Sequence, residues 1–241
     1  MSEAAVIARL HRSAAEVVGP FERHILLLRR VAALTPTDLA HDLQHVLRVY
    51  RWALRLAPEA GADVDLSGAA ALAHDLVSVP KHLAARPLSG ERSAEAARGL
   101  LAEAGYTLDE AMVVVDAIAT HSWSRGLSPR CPEGVVLQDA DRLDALGVIG
   151  LMRNIAVAEA MSAAATEGSV RAFVHPTDPL RQTTRPLDDR HFALDHWYEK
   201  LLKLRDGMHL PSARAEAARR HAWMTSALAE LTHELGVEAP R

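Results

Sequence analysis

The sequence predicts an all-α fold, and three observations lead to that prediction. Alanine and leucine dominate a chain in which 49% of the residues are apolar and only 4% are aromatic. Apolar residues recur at spacings of three and four, the period of one helix face, between short breaks that contain glycine or proline. No stretch shows the alternation of a half-buried strand. With 241 residues, the chain is long enough to bury a sizeable core between packed helices.

The apolar spacing places nine candidate helices along the chain. They cover residues 3–17, 21–33, 36–57, 66–79, 91–104, 108–121, 133–165, 187–206 and 211–235. Three of them also have polar residues at the start, where short side chains accept hydrogen bonds from free backbone N–H groups. These residues are Thr37 or Asp38 before the third helix, Asp65 or Ser67 before the fourth, and Thr107, with Glu110 as capping-box partner, before the sixth.

The last third of the chain is less regular. Gly147 and Gly150 interrupt the apolar seventh helix, each at a cost of roughly 1 kcal/mol relative to alanine, so we expect them to allow close helix approach. Residues 166–186 contain three prolines and little periodicity, which predicts a long loop of the kind that often serves as a lid. Without a repeat or composition shift, we expect one domain over 1–241, with 187–241 as a C-terminal helical extension.

The composition argues against several classes of function. The 31 acidic and 27 basic residues give a net charge of -4 without a basic block, which disfavours a nucleic-acid polymer as partner. The single cysteine, Cys131, cannot form an internal disulfide and fits a reducing compartment. Charged residues interrupt the N-terminal segment, and no run is long enough for a bilayer. We expect a cytoplasmic protein with no membrane partner. The expectation of a homodimer rests only on how common homodimers are among proteins in general.

Four side chains that bind divalent metals stand on three predicted helices. The adjacent His74 and Asp75 follow an apolar run, and polar groups at the buried end of such a helix need partners. His45 lies upstream and Asp141 downstream, and imidazole and carboxylate together suit ions such as manganese, cobalt, nickel, iron or zinc. His41, one turn before His45 and on the same face, competes with it as a ligand.

The order in which these residues and their neighbouring sequence strings follow one another is more specific to a protein family than any single residue. The strings are HDLQHVLRV, AHDLVSVPK, SAEAARGLL, AIATHSWS, QDADRLDALGVIGLMR and RPLDDRHFALDHWYEKLLKL, from residue 41 to about residue 204. In this order they resemble the HD-domain metal-dependent phosphohydrolase superfamily, most closely its YedJ/YpgQ-like branch. The resemblance implies an HD-domain helical bundle, with a metal-binding core over about 36–165.

The resemblance also implies a ligand set of His45, His74, Asp75 and Asp141. The family's HxxRV arrangement places the ligand at His45, and His41 is then expected at the pocket mouth. The family places its last ligand before a basic-Leu pair, here Arg142-Leu143. Asp139 diverges from Asp141 on a helix. Two roles stay open for Asp139 and Asp144, which are orientation of His or Arg groups around the metal, or salt bridges at a helix end.

Dinuclear members of the superfamily need two further histidines. His121 stands where the later one is expected, but the earlier position falls near 93–95, where no histidine is present, and His82 fits it poorly. We therefore expect one divalent ion (Mn, Co, Ni, Fe, Zn or Mg), with manganese favoured. His121 is then available to contact a phosphate or donate a proton to the leaving group, with a structural role at a helix end as the alternative.

Cations near these residues are candidates for phosphate binding. Lys81 follows the His74-Asp75 pair, and Arg48 shares a face with His45. Lys200 could serve from the C-terminal extension, with a solvated surface charge as an equal alternative. The implied activity is hydrolysis of a nucleotide or similar small phosphorylated metabolite, first a nucleoside triphosphate cleaved to monophosphate and pyrophosphate. The alternatives are a nucleoside 5'-monophosphatase, a phosphodiesterase, an HD-type iron oxygenase and a non-catalytic nucleotide-sensing module.

Overall fold

The described part of this computed structural model comprises residues 18, 21–35, 39–40, 42–77, 88–163 and 172–237. Within these ranges the chain forms helices and no strand, so the all-α prediction is confirmed. Two short 3-10 helices, Trp123–Arg125 and Leu201–Gly207, accompany the α-helices. The α-helices are α1 (Glu22–Leu34), α2 (Leu43–Ala60), α3 (Val64–Ala73), α4 (Ser89–Glu103), α5 (Leu108–Thr120), α6 (Pro132–Asp144), α7 (Gly147–Ala163), α8 (Asp195–Glu199) and α9 (Pro211–Glu234).

Four of these helices, α1, α4, α5 and α9, end within two residues of the predicted boundaries. The capping box before α5 is confirmed, because Thr107 and Glu110 each accept a hydrogen bond from the other's backbone N–H. Asp42 caps α2, and Asp63 caps α3 in place of the predicted Asp65 or Ser67. The predicted helix 3–17 and the caps at residues 37 and 38 lie outside the described residues.

Two of the predicted helices do not form as single α-helices. The stretch 133–165 forms two helices because Gly147 adopts a φ of 73°, a left-handed conformation that turns the chain between α6 and α7. A Cβ at Gly150 would overlap the Ala145 carbonyl oxygen, whereas one at Gly147 would lie 3.3 Å from Arg220 Cβ. The glycines thus permit a tight turn, and Gly147 also permits close approach of α9. The stretch 187–206 is helical only in α8 and the 3-10 helix at Leu201–Gly207.

The chain divides into two compact units, Met1–Asp141 and Arg142–Arg241. In the first unit, α3 is the central helix and packs against α1, α2, α4 and α5. Its residues from Leu66 to Ala73 are all buried, and most of them are alanine or glycine. Small side chains let four neighbouring helices approach one short helix. The metal-competent pair His74-Asp75 follows the last residue of this central helix directly.

A polar network holds the N-terminal end of α3. Arg23 on α1 donates to Asp65 at 2.6 Å and to Glu110 at 3.0 Å, which links α1, α3 and α5. Tyr106 donates to the second Asp65 oxygen at 2.7 Å, and the buried His24 lies 2.9 Å from the Asp65 carbonyl oxygen. Because such contacts involve charged groups and partly buried atoms, they fix the orientation of α3 about its axis.

In the second unit, α9 packs against the 3-10 helix at Leu201–Gly207 and against α7. The described part of the predicted loop, 172–186, contains no helix. Arg185 donates at 2.6 Å to each oxygen of the buried Asp195, and thereby anchors that segment. No single helix within the described ranges is long and apolar enough to cross a bilayer, and only the pair 132–144 and 147–162, bent by 76°, meets that criterion jointly.

Candidate metal centre

His45 enters the candidate site from the first turn of α2. The Asp42 carboxylate accepts a hydrogen bond from the His45 backbone N–H at 2.9 Å, so the cap begins the helix three residues before the imidazole. The side chain of His45 is fully buried. The sequence predicted this helix but not its start, and the start determines which residues of the string HDLQH face inward.

His74 and Asp75 follow α3 instead of lying within a helix that continues to residue 79, as the spacing predicted. α3 ends at Ala73, His74 is its C-cap, and Asp75 lies in the following turn. His74 Nδ1 is 2.8 Å from the Ala71 carbonyl oxygen and donates a hydrogen bond to it. Since a neutral imidazole carries one N–H, Nε2 of His74 keeps its lone pair and faces the site.

Two imidazole nitrogens and two carboxylate oxygens lie close together in the first unit. His74 Nε2 lies 3.2 Å from His45 Nε2, and Asp75 Oδ2 lies 3.5 Å from His45 Nε2 and 3.6 Å from His74 Nε2. Asp141 Oδ1 is 3.7 Å from His45 Nε2 and 4.0 Å from His74 Nε2. Ligands held about 2.0–2.2 Å from a single ion are themselves about 3–4 Å apart. His45, His74 and Asp141 each offer one atom within 4.8 Å of the other two, which fits a divalent ion, and Asp75 Oδ2 lies beside both imidazoles.

Burial and charge favour the ligand forms of these groups. Burial lowers the pKa of His74, which keeps the imidazole neutral and its lone pair available. Burial alone would raise the pKa of Asp75, but His74 and His45 face the carboxylate and hold its pKa well below the ordinary value. The pKa of Asp141 is lowered for the same reasons. The side chains of Asp75 and Asp141 remain 25% and 26% exposed, so the carboxylate side of the site is open.

His121 lies next to this cluster. It is the C-cap of α5 and is 6% exposed. Its Nδ1 lies 2.6 Å from the Ile118 carbonyl oxygen, and its ring meets the His74 ring edge-on at a centroid distance of 5.3 Å. With Nδ1 engaged, Nε2 is the nitrogen available to a substrate or water.

Of the other residues predicted to act near the metal, some lie within the described ranges and others lie outside them. Arg48 lies on α2 one turn beyond His45 and is half-buried. Lys200 follows α8 in the second unit, and its phosphate contact stays a prediction. His41, Lys81 and His82 lie outside the described residues.

The two acidic neighbours of Asp141 are both buried. Asp139 is completely buried on α6. Asp144 forms a salt bridge of 3.2 Å with Arg153, in which both side chains are largely buried. Of the two roles left open for Asp144, this contact agrees with a salt bridge at a helix end.

Two buried residues that support the site were not predicted. Ser93 Oγ accepts a hydrogen bond of 3.0 Å from the backbone N–H of Val77, two residues after Asp75. Gln138 lies three residues before Asp141 on α6 and donates two hydrogen bonds to backbone carbonyl groups near His121. The only sequence signal for either was a polar residue on an otherwise apolar helix face.

Comparison with known proteins places these residues in one matched region. A family model described as HD domain matches residues 42–146, which include His45, His74, Asp75, His121 and Asp141. YpgQ from Bacillus subtilis (strain 168), described as an uncharacterized protein, is 30% identical over 211 residues, or 86% of this chain and 90% of YpgQ.

Solved structures extend the similarity beyond the matched region. The crystal structure of Bacillus subtilis YpgQ in complex with ADP gives a TM-score of 0.65 at 27% identity, covering 88% of this chain and 97% of that chain. An HD-superfamily hydrolase from Bacillus thuringiensis gives a TM-score of 0.63 at 30% identity, covering 90% of this chain and 98% of that chain.

Proposed function

Because the chain belongs to the HD domain family, we propose that it is a metal-dependent phosphohydrolase acting on a nucleotide or a similar small phosphorylated metabolite. The first choice of reaction is cleavage of a nucleoside triphosphate to a monophosphate and pyrophosphate. HD domains bind divalent metals, and manganese is the ion we favour. The complex of the related YpgQ with ADP supports a nucleotide as the substrate.

One observation carries the proposal. The Nε2 atoms of His45 and His74 lie 3.2 Å apart, and one carboxylate oxygen from each of Asp75 and Asp141 lies between 3.5 and 4.0 Å from both nitrogens. Buried groups that all present lone pairs repel one another unless a proton or a cation lies between them. Since the carboxylates are partly exposed, water and substrate can reach the same point.

The chemistry divides among a bound ion and the residues around it. A divalent ion in this site would lower the pKa of a coordinated water and polarise a phosphoryl oxygen. The Asp75 carboxylate orients the attacking water and accepts its proton. His121 presents Nε2 to the leaving group, and the Arg48 guanidinium offsets negative charge that develops on the phosphoryl group. We also propose that Lys81 and Lys200 contact the phosphate groups and that His41 lines the mouth of the pocket.

The test is a panel of nucleoside mono-, di- and triphosphates with manganese, cobalt, nickel, magnesium or a chelator, in which phosphate and pyrophosphate are measured separately. We expect metal-dependent pyrophosphate release from a triphosphate and its loss in Asp75→Ala. The control is Asp109→Ala, which removes an exposed carboxylate from the first turn of α5 and should keep full activity. Full activity of metal-free Asp75→Ala would contradict the site assignment.

The products also separate the alternatives. Phosphate released from a monophosphate would identify a 5'-monophosphatase, and cleavage of a diester a phosphodiesterase. Oxygen consumption with iron and a mixed-valent spectroscopic signal would identify the oxygenase. Tight nucleotide binding without turnover in any of these metals would instead indicate a sensing module.

A further inference from the structure

Gln138 is a buried residue with no part in the reaction described above. It lies on α6, three residues before Asp141, and only 1% of it is exposed. Its side-chain amide donates to the Thr120 carbonyl oxygen at 2.8 Å and to the Leu127 carbonyl oxygen at 2.9 Å. Both N–H groups of the amide therefore have a partner.

The two carbonyl groups lie at the ends of the segment that contains His121. Thr120 is the last residue of α5, and carbonyl groups in the last turn of a helix lack a partner within the helix. Leu127 follows Gly126, the C-cap of the 3-10 helix Trp123–Arg125. One amide thus joins both ends of residues 120–127 to α6, the helix that carries Asp141.

His121 depends on this segment for its orientation. Its peptide follows Thr120 directly, and its Nδ1 is bonded to Ile118 in the same last turn of α5. If the end of this turn loosens, the imidazole loses the hydrogen bond from Nδ1 to Ile118 and its edge-on contact with His74. A buried amide can therefore determine where Nε2 of His121 points, without itself contacting a substrate.

We propose that Gln138 is a positioning residue that fixes His121 relative to the helix of Asp141. The inference rests on the proposed phosphohydrolase function, in which His121 acts on the leaving group. A displacement of about 1 Å of a catalytic group can lower a rate about 100-fold, so the hydrogen bonds of Gln138 matter to turnover as well as to folding.

The variant Gln138→Met keeps a similar length and removes both donors. In the full-length protein with saturating manganese, we expect kcat to fall about 10- to 100-fold while KM changes less than about threefold. In metal-free protein, ¹⁵N NMR of the His121 ring should show one tautomer with Nδ1 protonated for the wild type, and a mixture for the variant.

A matched control separates positioning from stability. Asn154 is also a buried amide that donates to a backbone carbonyl, that of Ala193, at 2.9 Å in the second unit. Asn154→Leu should lower the melting temperature to a similar extent and leave kcat and the His121 ring signals unchanged. If Gln138→Met fails to fold, Gln138→Asn, which keeps the amide but shortens its reach, is measured in the same way.

A double-mutant cycle completes the test. In a His121→Asn background, Gln138→Met should cause little further loss of kcat, because the two residues act through one another. An unchanged tautomer and kcat in Gln138→Met, or a full loss of kcat that persists without His121, would overturn the inference. If the proposed function is wrong, the wild-type protein will show no turnover. In that case the NMR comparison of the His121 ring tests the positioning role of Gln138 without an activity measurement.

Discussion

Two aromatic rings occupy the space beside Gly68 on the central helix α3. A Cβ at this position would lie 2.5 Å from His24 Cε1 and 3.0 Å from Tyr50 Cε2. The two rings cannot easily withdraw, because His24 Nδ1 and the Tyr50 hydroxyl are hydrogen-bonded at 2.8 Å and both residues are completely buried. Gly68 thus permits the close contact of α1, α2 and α3.

Replacing this glycine should destabilise the protein. For Gly68→Ala we expect a loss of about 1–3 kcal/mol in the free energy of unfolding, since overpacking displaces the two rings. Urea denaturation followed by circular dichroism measures the loss. The control is Gly99→Ala, at an exposed position of α4 with open space around it, which should gain up to about 1 kcal/mol. Equal stability of Gly68→Ala and the wild type would contradict the packing argument.

At the scale of single residues, the sequence predicted which residue types could bind a metal better than it predicted which atom of each residue faces the site. The sequence indicated imidazoles and carboxylates that suit a divalent ion, but residue spacing alone left His41 and His45 as competitors. The nitrogen that each histidine presents depends on carbonyl groups such as those of Ala71 and Ile118. Those contacts form only once the helix ends are in place, so the sequence pattern does not encode them.

At the scale of elements, α4 supports the turn that follows α3. Ser93 is completely buried on α4, and its hydroxyl accepts the Val77 N–H at 3.0 Å. Val77 lies four residues beyond the end of α3, and a side chain from the neighbouring α4 accepts the hydrogen bond of its backbone N–H. Ser93 therefore restrains the chain two residues after Asp75.

Removal of this hydroxyl should affect metal binding more than folding. For Ser93→Ala we expect a loss of about 1 kcal/mol in stability and about tenfold weaker manganese binding, because the His74-Asp75 turn becomes less well ordered. Isothermal titration calorimetry measures the binding. Ser89→Ala, at the first residue of α4, serves as the control and should bind manganese as the wild type does. Unchanged affinity in Ser93→Ala would show that the turn does not need this support.

The elements also show where apolar spacing misleads. It predicted α1, α4, α5 and α9 well, because each has a polar face and a clear break at both ends. It joined α6 to α7, since the apolar pattern continues through the turn at Gly147 and only the backbone conformation changes. It also extended α3 to residue 79, because the apolar residues Leu76, Val77 and Val79 follow at helical spacing although the helix has ended at Ala73.

At the scale of the whole molecule, the four proposed metal ligands all belong to the unit Met1–Asp141. A ligand that binds only the folded state stabilises the unit that holds it, by about 2.7 kcal/mol at a concentration 100 times its dissociation constant. The stabilising effect of a metal should therefore be concentrated in the helices of the first unit.

Hydrogen exchange measured by mass spectrometry can detect this distribution. Addition of manganese should slow amide exchange in α2 and α3, and a chelator should reverse the effect. The variant His74→Gln should show no such response, because the Nε2 ligand is lost. Equal protection by manganese in wild type and His74→Gln would mean that the ion binds elsewhere.

The burial of α3 on all sides has a consequence for how this protein tolerates change. Most helices have a solvent face, so in a saturation mutagenesis experiment the tolerant positions recur with the helical period. Along Leu66 to Ala73 no position faces water, and most side chains are already the smallest available. The tolerance profile there should be flat and low over two consecutive turns. We therefore expect few substitutions in this segment between relatives, even between relatives that act on different substrates.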